Sequence, residues 1–134
     1  MDLSGADTEG RSWLRWLLPT RLLRVESAVL LLTLIWLYDR YGGAWWLFAL
    51  LFLAPDLSAI GYALGPTAGA ASYNAAHAYV LPAIAVAILG YWSELAVEIA
   101  LIWAAHLAFD RALGYGLKQP GDRGKTGSWH EGRF

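Results

Sequence analysis

The chain has 134 residues, of which 57% are hydrophobic and 16% are charged. A water-soluble domain of this length could not bury so much apolar surface, because small domains leave much of their surface in contact with water. The absence of cysteine excludes disulfides, thiolate metal sites and cysteine nucleophiles, and a net charge of −1 gives no reason to expect a nucleic-acid partner.

Residues 1–21 precede the first apolar run and alternate arginines with large apolar side chains in RSWLRWLLPTR. This pattern is typical of a basic, interfacial helix on an anionic membrane leaflet. The segment can equally be a topology signal with no further role. In both interpretations it is predicted to lie on the cytoplasmic side.

Four apolar runs follow, and each is close to the length of about 20 residues that crosses a bilayer as a helix. They cover residues 22–38, 44–64, 68–90 and 93–113. The links between them are too short for a soluble domain, so consecutive helices are expected to be antiparallel neighbours. Continuous rather than alternating hydrophobicity favours helices over a barrel. The sequence therefore predicts an all-α membrane protein, in which residues 22–118 form an antiparallel four-helix transmembrane bundle.

Lysine and arginine are concentrated before the first run and after the fourth, whereas the two loops on the opposite side contain only Arg40. By the positive-inside rule, both termini are predicted to be cytoplasmic, in a multi-pass protein of the inner (plasma) membrane. The tail, residues 119–134, is glycine-rich and charged and is predicted to be a flexible cytoplasmic extension.

The polar residues inside the four runs share a predicted depth. The helices alternate in direction, yet Glu26, Asp56, His77, His106 and Asp110 all fall in the cytoplasmic half when each residue advances the helix by about 1.5 Å. Ionised groups at such depth are unfavourable by about 2.5–3.5 kcal/mol each on insertion scales. Their shared depth therefore needs an explanation.

Asp56, His77, His106 and Asp110 are predicted to bind one divalent transition metal. Two imidazoles and two carboxylates from three helices are a usual ligand set for zinc, manganese or iron, and His106 and Asp110, four residues apart, share a helix face. The positive charge of the metal would offset the negative charges of the two carboxylates. Four further residues are predicted to support the ligands or orient a substrate: Glu26, Tyr73, Asn74 and Arg111.

Two functions of different classes follow from this cluster. One is a metal-dependent membrane hydrolase acting on a lipid-linked or amphiphilic substrate. The other is a non-enzymatic membrane protein whose cluster is a structural hydrogen-bonded network or a proton or ion path. The sequence contains no glycine-rich phosphate loop, no G-x-S-x-G and no H-E-x-x-H. The sequence also allows homo-oligomerisation, and an oligomer could form a proton or ion path that one protomer lacks.

Three blocks of the sequence resemble an uncharacterised bacterial integral membrane family, domain of unknown function 4260: YGGAWWLFALLFLAPDLSAIGY, YNAAHAYVLP and ALIWAAHLAFDRALGYGLK. The resemblance covers about residues 22–118. The motif residues of the family fall on Asp56, Asn74, His77, His106 and Asp110. The resemblance implies a four-span fold and no particular activity. A looser similarity of layout links the chain to bacterial membrane-bound metal-dependent hydrolases, which also carry His and Asp at the inner ends of helices.

Overall fold

The structure, a computed structural model, describes residues 19–119. Within this range the chain is entirely helical, without strands, which confirms the predicted all-α class. The elements are α1 (Pro19–Arg40), α2 (Trp45–Leu51), a 3₁₀ helix η1 (Ala54–Leu64), α3 (Pro66–Ala76), α4 (Val80–Leu89) and α5 (Glu94–Leu113). Most of the predicted interfacial segment and nearly all of the predicted tail lie outside the described residues.

Helices α1 and α5 are unbroken and pack along one another in opposite directions. The Arg24 side chain near the start of α1 donates from Nε to the carbonyl oxygen of Ala112 near the end of α5, at 2.9 Å. Further along, Leu34 packs with Ala105 and Ala108, which are both fully buried. Alanine at these two positions lets the helices approach closely.

Both ends of α5 carry ordinary helix caps. The Ser93 hydroxyl accepts a hydrogen bond from the backbone N–H of Ala96 at 3.2 Å, which satisfies one of the free donors of the first turn. Gly114 has a φ of 96° and ends the helix in the left-handed conformation that glycine adopts without steric cost. The last turn of α5 is thus held in a defined position.

The predicted second span, residues 44–64, is two elements rather than one helix. The α-helix α2 ends at Leu51, and η1 begins at Ala54. Pro55 has no backbone N–H and cannot continue an α-helical ladder, while the N–H of Asp56 bonds the Leu53 carbonyl at 3.1 Å in the tighter 3₁₀ pattern. An eleven-residue 3₁₀ helix is unusually long.

The η1 helix folds back on α3 through Gly65, whose φ of 116° a residue with a side chain would rarely adopt. The two helices touch closely. The Ser72 hydroxyl donates to the Ser58 carbonyl at 2.8 Å, and a methyl group at Gly69 would overlap the Tyr62 ring. The small residues in this part of the sequence therefore set the distance between η1 and α3.

The predicted third span, residues 68–90, is also broken: α3 and α4 meet at an angle of 46°. Pro82 lies in the first turn of α4 and has no backbone N–H to donate to a carbonyl at the break. Two side chains of α5 satisfy carbonyls freed there, because Trp103 Nε1 donates to Ala76 at 2.7 Å and Arg111 Nη2 donates to His77 at 2.9 Å. Such replacement partners allow a helix to break in an apolar environment.

By length and composition, one stretch within residues 19–119, Trp45–Leu64, is suited to cross a membrane. The bent pair α3 and α4 adds a second if it is counted as one span. Helices α1 and α5 have 22 and 20 residues but also carry charged side chains, among them Arg24 and Asp110.

Candidate metal centre

Three elements bring the four predicted ligands together. Asp56 lies in the first turn of η1, His77 follows the last residue of α3, and His106 and Asp110 lie one turn apart on α5. One possible ligand atom from each residue lies within 4.8 Å of all the others. The break of the second predicted span and the break of the third therefore both occur beside the cluster.

Five of the six distances between the ligand atoms are similar. The Oδ1 atom of Asp56 lies 3.3 Å from His77 Nε2 and 3.4 Å from His106 Nε2. The Oδ2 atom of Asp110 lies 3.6 Å from each of the same two nitrogens, and the two nitrogens are 3.3 Å apart. Four ligands arranged tetrahedrally at about 2.0–2.2 Å from a zinc ion lie about 3.3–3.6 Å from one another. The five distances fall in that range.

The His77 ring has a defined orientation and tautomer. Its Nδ1–H donates to the backbone carbonyl of Tyr73 at 2.9 Å, and because a carbonyl can only accept, the neutral ring keeps its free lone pair on Nε2. The Tyr73 ring stacks on the imidazole at 3.7 Å and 10°. A histidine that donates from one nitrogen to a carbonyl and faces the cluster with the other is typical of a metal ligand.

The His106 ring is held differently. Its Nε2 faces the cluster, and the edge of Phe52 packs on it with the ring centres 5.4 Å apart. Its Nδ1 is buried and has no hydrogen-bond partner among the described residues. A buried, unpaired N–H costs about 1–3 kcal/mol, so a proton on Nε2, shared with a neighbouring carboxylate, is favoured while only protein groups surround the ring.

The cluster is enclosed on all sides but one. The His77 and His106 side chains are almost fully buried and that of Asp110 is 12% exposed, whereas the Asp56 side chain is 52% exposed. A metal site that serves only structure usually has four protein ligands, and a catalytic site keeps one position open for water. Four ligands are present here, and the exposure of Asp56 leaves the cluster accessible from one side.

The predicted supporting residues have separate positions in the structure. The Tyr73 hydroxyl lies 3.5 Å from Asp110 Oδ2, at the outer limit of a hydrogen bond. Arg111 contacts the backbone of the cluster, donating to the His77 carbonyl, and also donates to Tyr115 at 3.0 Å. Glu26 lies on the exposed side of α1, and the four-residue cluster does not include it.

Asn74 has a structural partner that the sequence did not indicate. Its side-chain amide donates to the Lys118 carbonyl and accepts from the Lys118 N–H, both at 2.7 Å. The Lys118 ammonium lies 3.9 Å from the centre of the Tyr73 ring, an attractive cation–π contact. The segment after α5 is thereby fixed across α3, one turn before His77.

Sequence reasoning missed two residues beside the cluster, Trp103 and Lys118. A signal for Trp103 was available, since it lies three residues before His106 on the same face of α5. For Lys118 the sequence showed a positive charge after the last span but nothing that pointed to Asn74.

Comparison with known proteins gives one match. The family profile described as Domain of unknown function (DUF4260) matches residues 20–127. No curated protein and no solved structure shows significant similarity to the chain. The match begins at the second residue of α1 and includes the whole cluster, so the chain belongs to the family described as Domain of unknown function (DUF4260).

Proposed function

We propose that the protein is a multi-pass membrane protein of the inner (plasma) membrane, with four spans and both termini cytoplasmic. The support is its apolar surface. In the most apolar 18-residue stretch of Trp45–Leu64, only 6% is buried inside the protein. On α1, Val25, Val29, Leu32 and Trp36 form an exposed stripe at helical spacing, opposite the buried Leu34. Such extended apolar faces fit lipid better than water.

Topology provides the test of this proposal. Reporter fusions at the two termini are expected to report the cytoplasm, and a fusion in the loop near Gly42 the outside, because most basic residues flank the first and last spans. A C-terminus on the outer side would contradict the four-span arrangement. A protein recovered in the soluble fraction would contradict membrane insertion altogether.

The cluster is proposed to bind one divalent transition metal, zinc, manganese or iron, and to serve a metal-dependent hydrolase. The observation that carries this proposal is the convergence of two imidazole nitrogens and two carboxylate oxygens with spacings of 3.3–3.6 Å. The Nδ1–H of His77 on the Tyr73 carbonyl supports it, since it leaves Nε2 free for the metal. The two carboxylates would balance the charge of the ion.

The chemistry that such an ion would supply is activation of a water molecule for hydrolysis. The water oxygen would bond to the electrophilic atom of the substrate as the bond to the leaving group breaks, and the proton of the water would pass to the leaving group. Asp56 can carry that proton, because its side chain is half exposed on the open side of the cluster. Asp110 is enclosed, and its carboxylate is suited to balancing the charge of the ion.

Elemental analysis of the full chain purified in detergent tests the metal site. About one zinc, manganese or iron per chain is expected, and a chelator is expected to lower the unfolding temperature, because metal bound only to the folded state stabilises it. A metal-free preparation that takes up no added zinc, manganese or iron would contradict the proposal. So would a thermal stability that is the same with and without chelator.

The second candidate is a structural network without metal, and the buried, unpaired Nδ1 of His106 favours it. In that state His106 Nε2–H donates a hydrogen bond to Asp56, which ties η1 to α5, or to Asp110 on the same helix. Metal binding would move the proton to Nδ1, so the ion must offset the cost of that unpaired N–H. The same elemental analysis distinguishes the two candidates.

A further inference from the structure

An apolar cavity of about 270 Å³ lies directly beside the cluster. Three of its lining residues adjoin three ligands: Pro55 precedes Asp56, Ala76 precedes His77, and Trp103 lies one turn before His106 on α5. The cavity and the cluster therefore lie at the same helix breaks and along the same face of α5. A molecule bound in the cavity would lie close to the cluster.

The polar groups of the cavity wall are already occupied. The Ser58 hydroxyl donates to the Pro55 carbonyl at 2.6 Å, and the Trp103 indole N–H donates to the Ala76 carbonyl at 2.7 Å. The rest of the lining is aliphatic. The wall thus presents carbon atoms to a ligand, and it would take the apolar part of a molecule.

The volume of the cavity and the position of its lining residues restrict the apolar part of the ligand further. Its volume of about 270 Å³ is slightly below the ≈ 300–1,000 Å³ of sites that enclose a whole drug-sized ligand. Its lining runs from Ile99 toward Trp103, and Ile99 lies about 10 Å from His106 along the helix at about 1.5 Å per residue. A cavity of this volume beside the cluster suits one short alkyl chain.

We propose that the cavity binds the single alkyl chain of an amphiphilic substrate whose polar, hydrolysable group lies at the four-residue cluster. This inference rests on the proposed hydrolase function and names its substrate class. The half-exposed Asp56 and the half-closed cavity then form one site with a polar and an apolar end. Both chains of a two-chain lipid would not fit in this volume together, so we expect the site to prefer an amphiphile with one chain.

Photo-crosslinking tests the site without requiring turnover. The full chain is reconstituted in nanodiscs of non-hydrolysable ether lipid and exposed to decanoic acid that carries a diazirine in mid-chain, and the labelled residues are located by mass spectrometry. Labelling at Leu51, Ile99 and Trp103 is expected to exceed labelling at the lipid-facing Ile84 by about fivefold or more. A phospholipid with the same diazirine in one of its two chains is expected to label all four positions alike.

A matched pair of variants on α5 locates the chain. Ile99→Trp fills the cavity and is expected to reduce labelling at Trp103 about fivefold, whereas Leu95→Trp, on the exposed surface one turn earlier, is expected to leave it unchanged. Both variants should keep their metal content. If Ile99→Trp does not fold, Ile99→Phe replaces it as the smaller filling residue.

Three results would overturn the inference: equal labelling of cavity and lipid-facing positions, equal labelling by the one-chain and two-chain probes, or labelling at Trp103 that Ile99→Trp and Ile99→Phe both leave intact. The proposed function fails separately. If the protein binds the alkyl chain in the cavity but neither contains nor takes up metal, the alkyl-chain site stands and the proposed hydrolase function is rejected.

Discussion

His106→Ala is expected to lower the affinity of the protein for zinc by more than about 100-fold, because the loss of a residue that merely orients a ligand already costs about 10–100-fold. His106 Nε2 lies within 3.6 Å of the other three ligand atoms, which places it at the centre of the cluster. His77→Ala is expected to have an effect of the same size. Zinc titration against a competing chelator measures both.

Ile102→Ala is the matched control for this prediction, since Ile102 is buried on α5 one turn before His106 and is not a ligand. This substitution is expected to lower the free energy of unfolding by about 2–5 kcal/mol through the cavity it creates, while the bound metal is retained. The histidine variants should instead lose the bound metal. If His106→Ala binds zinc as tightly as the unmodified chain, His106 is not a ligand.

Gly69→Leu is expected to lower the free energy of unfolding by about 1–3 kcal/mol, the usual cost of inserting a larger side chain into a packed interior. Even one methyl group at this position would overlap the Tyr62 ring on η1. The leucine must therefore push η1 away from α3. Because Asp56 belongs to η1 and His77 follows α3, the displacement is also expected to weaken metal binding.

Ala71→Leu is the control on the same helix, because Ala71 is exposed and leucine has room there. Unfolding by heat or denaturant in one detergent compares the two variants, and metal content is measured on the same samples. Equal stability of Gly69→Leu and Ala71→Leu would show that the contact between Gly69 and Tyr62 does not set the spacing of the two helices. If a destabilised Gly69→Leu variant keeps its metal, the spacing of η1 and α3 does not control metal binding.

The sequence by itself determined the helical class, the family and the set of residues that meet in the cluster. Continuous apolar runs predict helices because only helices satisfy every backbone group within one segment. The resemblance carried by blocks such as YNAAHAYVLP is confirmed by the family match over residues 20–127. Asp56, His77, His106 and Asp110 stood out because ionisable groups in apolar runs are costly and their depths agreed. Their role as metal ligands stays a prediction.

Pro55 already indicates a kink beside Asp56 in the second predicted span. Only the tertiary structure decided that η1 is a 3₁₀ helix, where the third predicted span breaks and how open the cluster is. Hydropathy averages over many residues, so it cannot distinguish one long helix from α2 followed by η1, or from α3 and α4 at 46°. The break between α3 and α4 depends on partners distant in the chain: Trp103 and Arg111 of α5 supply the hydrogen bonds that the backbone loses at Ala76 and His77.

The same physical reason applies to the details of the site. Asn74 has the residue type and position of a group that supports the cluster, yet its amide is taken by the backbone of Lys118, which is 44 residues away in the sequence. The exposure of Asp56 and the cavity beside it depend on how η1 packs against α3 and α5. Helical periodicity assigns a residue to a face, but the packing of separate helices decides what that face meets.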